Sequence, residues 1–82
     1  MLQTMSNEMS ENMTWFPKAC RAARGWLGWS AEDLAKRVGV TWRTIQRIES
    51  GGSTTVGRRH QIADVFRAAG VNIGSNGISP LE

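Results

Sequence analysis

The chain has 82 residues, ten of them lysine or arginine and seven aspartate or glutamate, for a formal net charge of +3. That length holds one domain with a small core, and no apolar run approaches the ~20 residues of a membrane-spanning helix. The single cysteine, Cys20, excludes an internal disulfide framework and agrees with a reducing, cytoplasmic setting; the N-terminus lacks the basic-then-apolar layout of a secretion signal.

Residues 1–13 are polar and aperiodic and are expected to be disordered. Thr14 is placed to cap a first helix that tolerates Pro17 in its opening turn and runs to Arg24. Cys20, Ala23 and Leu27 are expected to face inward, and Gly25 and Gly28 to break the helix. Trp26 and Trp29 fall in the junction that follows, where their rings are expected to enlarge a small core.

Helical patterning resumes over Ala31 to Val38. Ser30 is a good N-cap, and Asp33 three residues on supplies the capping-box acid. Glu32 and Asp33 suit the positive end of the helix dipole, and Lys36 and Arg37 the negative end. Gly39 lies where the chain must leave the helix, with positive φ expected. Thr41 then caps a third helix over residues 42–49. The stripes Leu34, Ala35, Val38 and Ile45, Ile48 face each other across this short link, and small Ala35 lets the backbones approach. Two short helices joined so tightly cross steeply, the geometry by which a helix-turn-helix offers its second helix to a DNA major groove. An ordinary helical hairpin without a ligand is the plainer alternative.

Ser50-Gly51-Gly52-Ser53 reads as a flexible exit. A fourth helix is expected from Thr55 to Gly70, with Ile62, Val65, Phe66 and Ala69 as its buried stripe. Val71, Asn72 and Ile73 alternate like a short strand, and residues 74–82 read as a flexible tail. The expected fold is all-α: a compact four-to-five-helix bundle containing a helix-turn-helix over residues 14–73, with a short C-terminal strand.

All ten lysines and arginines lie between residues 14 and 70, against the four acids Glu32, Asp33, Glu49 and Asp64, a net of +6. Such a charge suits nucleic acid phosphates, although solubility alone also accounts for it. With Ile45 and Ile48 turned inward, the outer face of the third helix carries Trp42, Arg43, Gln46 and Arg47. The arginine fork matches guanine O6 and N7, and glutamine matches adenine. Trp42 offers a flat surface to a thymine methyl or a sugar, or else packs against the motif or a partner. The two arginines also fit a merely solvated face. Phosphate contacts are expected from Thr41, Thr44, the Gly51 and Gly52 amides, Arg58 and Arg59, with Arg21 and Arg24 as weaker candidates. His60 and Cys20 lack partners at metal spacing and read as a surface residue and a core filler. No cofactor, metal or catalytic pair is expected, and an enzyme is not.

The spacing of Ala35, Gly39 and Ile45, with Leu34, Val38, Val40 and Ile48 around it, resembles the phage-repressor-type (Cro/CI, XRE-like) helix-turn-helix regulators. CRAARGWLGWS resembles that family's first helix and its entry to the second, IESGG the exit from the recognition helix, and HQIADVFRAAGVNI the fourth helix. The resemblance covers residues 15–73. It implies a lambda-repressor-like fold and a repressor-like regulator of transcription that binds double-stranded DNA as a homodimer. Trp42, Arg43 and Arg47 resemble its base-contact positions. Family members very often carry a phosphate-touching glutamine where Ala31 stands, so that contact is expected to be missing. The homodimer contact favoured is Val71 to Ile73, pairing edge to edge with its twin. Two other readings stand beside this: an antitoxin or protein-interaction module using Trp42 and the C-terminal tail as partner surface, and a helix bundle that no longer binds DNA.

Overall fold

The computed structural model describes residues 14–81. Four helices and a hairpin follow in order: α1 (Trp15–Leu27), α2 (Ala31–Val38), α3 (Trp42–Glu49), α4 (Val56–Ala68), β1 (Val71–Gly74) and β2 (Gly77–Pro80). The all-α expectation holds, with a short antiparallel sheet where one strand was anticipated. The expectation for residues 1–13 lies outside the described residues.

Local chemistry accounts for most helix boundaries. The Ser30 hydroxyl accepts from the Asp33 N–H at 3.0 Å while the Ser30 N–H donates to Asp33 Oδ2 at 2.9 Å, a complete capping box. Gly39 ends α2 at φ 87°, and its N–H donates to the Ala35 carbonyl at 2.8 Å. Thr41 caps α3 through the Thr44 N–H, and Thr55 caps α4 through the Arg58 N–H. Thr14 does not cap α1: its backbone is already helical and its hydroxyl makes no cap bond. Nor does α1 stop at Arg24. Gly25 is accommodated inside the helix, and the chain turns out at Gly28. One glycine lowers helix propensity by only ~1 kcal/mol, which the packed face of α1 outweighs.

The core gathers Phe16, Cys20 and Ala23 from α1, Leu34, Ala35 and Val38 from α2, Ile45 and Ile48 from α3, Ile62 and Phe66 from α4, and Val71 from β1. The facing stripes of α2 and α3 are therefore buried together. Val65 is only half-buried, and Ala69, expected in the α4 stripe, is exposed because it lies one residue past the helix end. The two junction tryptophans divide. Trp29 stacks on Phe66 at 5.8 Å between ring centroids and carries the Arg37 guanidinium 4.2 Å above its face, whereas Trp26 is 61% exposed and adds nothing to the core.

Residues 74–82, read from the sequence as a tail, include a paired strand. Val71 faces Pro80, Asn72 faces Ser79, Ile73 faces Ile78 and Gly74 faces Gly77, leaving Ser75 and Asn76 as the turn. The Leu81 N–H closes the hairpin on the Gly70 carbonyl at 2.7 Å. Val71 to Ile73, favoured from the sequence for self-pairing, is thus paired along one edge within its own chain, by β2. Among the described residues no helix is long and apolar enough to cross a membrane.

Candidate nucleic-acid interface

The α3 helix divides along its length. Ile45, Ile48 and Glu49 are buried, while Arg43, Gln46 and Arg47 are exposed, Trp42 is 43% exposed and Thr44 is half-buried. Neither Arg43 nor Arg47 enters an ion pair among the described residues. The four residues expected to meet bases therefore share the surface side of one short helix, with both guanidinium groups unclaimed. At the helix N-terminus the Thr41 and Thr44 hydroxyls lie 3.0 Å apart and share one hydrogen bond. One O–H of the pair is left to donate outward, beside the backbone N–H groups of a first turn that has no intrahelical partners for them.

The other expected phosphate contacts fare differently. The Gly51 and Gly52 amides are not available: Gly51 N–H donates to the Ile48 carbonyl at 3.0 Å and Gly52 N–H to the Arg47 carbonyl at 2.9 Å. With Gly51 at φ 92°, this is the six-to-one and five-to-two pairing of a Schellman ending. A loop expected to be flexible is thus tied to the helix it leaves. Arg58 donates to Gln61 Oε1 at 2.9 Å, and Gln61 Nε2 donates onward to the Val38 carbonyl at 3.2 Å. That relay fixes the start of α4 to the end of α2, and sequence reading had passed over Gln61. Arg59 donates to the Thr54 carbonyl at 3.3 Å, and its Nε is buried without a partner. It lines a depression of about 390 Å³ together with Thr14, Ser53, Thr54, Gly51 and Gly52.

Arg21 and Arg24, weaker phosphate candidates in the sequence, point to the rear of α3 instead. Arg24 grips the Glu49 carboxylate with both arms of its fork, Nε to Oε2 and Nη2 to Oε1, each at 2.8 Å, and its Nη1 holds the Trp29 carbonyl at 3.0 Å. Arg21 Nη1 donates to the Glu49 main-chain carbonyl. The Cys20 thiol donates to Glu49 Oε2 at 3.4 Å. Burial, reinforced by the negative charge of Glu49, pushes the Cys20 thiol far above its ordinary range, so it stays protonated. The hydrogen bond to Glu49 likewise raises Arg24. Glu49 is thus the functional residue that sequence reading missed. Its spacing carried the signal, since position 49 follows Ile45 by one turn and shares the inward stripe.

Closely joined α2 and α3, with the second helix anchored from behind and cationic in front, define a helix-turn-helix domain. The helix-turn-helix family profile matches residues 21–70. The chain belongs to the phage-repressor-type (Cro/CI, XRE-like) helix-turn-helix family of DNA-binding regulators. No curated protein and no solved structure matches it.

Proposed function

We propose that the protein is a sequence-specific regulator of transcription, repressor-like, in which α3 lies in the major groove of double-stranded DNA and reads bases through Trp42, Arg43, Gln46 and Arg47. The observation that carries this reading is the outward position of Arg43 and Arg47, unpaired among the described residues, on a helix whose other face is buried. Thr41, Thr44, Arg58 and Arg59 hold flanking phosphates and set the register of the domain on the duplex. Ala31 contributes no side-chain phosphate bond, so more of the grip rests on those four residues.

The active species is a homodimer whose two α3 helices enter successive major grooves, about 34 Å apart along the duplex. Sedimentation of the protein on a palindromic duplex, with two chains expected per site, checks this; one chain per site refutes it. A salt titration on random duplex DNA tests the function itself. Log K is expected to fall steeply and linearly with log salt as phosphate counterions are released. A flat response, with tight binding to a protein partner, would instead establish the interaction-module reading, which the exposure of Trp26 favours.

A further inference from the structure

The two consecutive glycines after α3 are there for different reasons. Gly51 sits at φ 92° with open space around the position of a Cβ, so its backbone conformation requires glycine. Gly52 has no positive φ. A Cβ on Gly52 would lie 2.7 Å from Arg47 Cγ and 2.9 Å from the Arg47 carbonyl oxygen, well inside van der Waals contact. The same carbonyl accepts the Gly52 N–H at 2.9 Å, so the loop cannot back away without breaking the helix ending. Bare backbone therefore closes over the methylene stem of Arg47, while the residue as a whole remains exposed. No other described glycine would bring a Cβ within 4 Å of an α3 side chain, Arg43 one turn earlier included.

We infer that Gly52 is a positioning residue for Arg47: its missing side chain lets the exit loop clasp the Arg47 stem and aim the guanidinium before DNA arrives. This rests on the regulator reading and deepens it, because it separates the roles of the two arginines. A side chain held at its base loses less freedom when its fork meets a guanine edge, so a held arginine discriminates more sharply than a free one. Arg47 is the principal base discriminator of α3, and Arg43 the adaptable contact.

The test uses the full chain and a selection from random duplexes. Arg47→Ala identifies the base pair that Arg47 reads. Gly52→Ala is expected to lose on the order of tenfold discrimination at that same pair, with little change at the others and no further loss when combined with Arg47→Ala. Gly51→Ala, strained in φ but clear of Arg47, is expected to lower stability without altering base preference. Uniform weakening at every position in Gly52→Ala, unchanged discrimination, or equal loss of that pair's discrimination in Gly51→Ala would overturn the assignment. If Gly52→Ala fails to fold, carbon relaxation on the unaltered protein decides: Arg47 Cγ should be more rigid than Arg43 Cγ, and equal mobility refutes the clasp. An unaltered protein that binds no DNA would sink the regulator reading, while the relaxation comparison would still judge the contact by itself.

Discussion

The two ends of α3 are held in different ways. At the N-terminal end the restraints are light: the Thr41 cap, the Thr41–Thr44 hydroxyl pair and a Trp42 ring that is partly in solvent. At the C-terminal end Arg24, Arg21 and Cys20 converge on Glu49 from behind, and Gly51 and Gly52 tie the exit loop to the last turn. The same helix is therefore fixed at one end and lightly restrained at the other. The buried ion pair holds the first, and the exposed cap the second. The carboxylate at the C-terminus of α3 opposes the helix dipole, and the two arginines behind it offset that penalty.

The largest expected effect comes from removing the anchor. Glu49→Ala leaves the partly buried Arg24 guanidinium without its counter-charge and should lower unfolding stability by about 3–5 kcal/mol, read as a fall in the urea midpoint. A loss no greater than that of an exposed ion pair would mean that the C-terminal end is not the fixed one. Next in size is the outward face. Arg47→Ala and Arg43→Ala should each remove discrimination at one base pair, within about 1–3 kcal/mol and larger for Arg47→Ala, measured by competition between duplexes. Arg58→Ala should instead weaken all sequences alike and reduce the salt slope by about one, which distinguishes reading from gripping.

At the lightly held end, Thr41→Ala should destabilise the protein by about 1 kcal/mol through loss of the α3 cap, visible in thermal unfolding. Faster amide exchange should then appear at Thr44, whose N–H the Thr41 hydroxyl accepts, and not at Ile48 or Glu49. The smallest effect belongs to the Ser30–Asp33 box, which is fully exposed. The Ser30 hydrogen bonds hold the Asp33 carboxyl below its ordinary range. A depressed folded value means that its contribution is present at neutral pH and fades as the pH drops through that value. An NMR titration of Asp33 should show the depression, and Ser30→Ala, which keeps the main-chain N–H donor, should relieve only part of it.

Much of this was legible without coordinates because the determinants are local. The capping box, the Gly39 exit and the inward stripes of α2 and α3 depend on residues three or four positions apart. The outward set Trp42, Arg43, Gln46 and Arg47 follows from the same periodicity. A turn signal was also present in the run Gly74-Ser75-Asn76-Gly77, although the turn itself falls on Ser75 and Asn76. It went unread because β2, over Gly77–Pro80, carries a glycine and a proline and scores poorly as a strand by itself. Gly25 deceived for the opposite reason, local propensity being overruled by the packed face of α1.

Sequence alone determined the helices, their facing stripes and the cationic side of α3, because periodicity and capping act over a single turn. Tertiary structure decided where each arginine is committed. Arg24 and Arg43 are chemically alike, and only the fold places a buried carboxylate against one and solvent against the other. The same holds for the glycines: φ explains Gly51, but Gly52 has its reason in a contact that exists only once the exit loop has folded back on Arg47. A charge or a gap acquires its role from what lies across the space from it, and chain order does not record that neighbour.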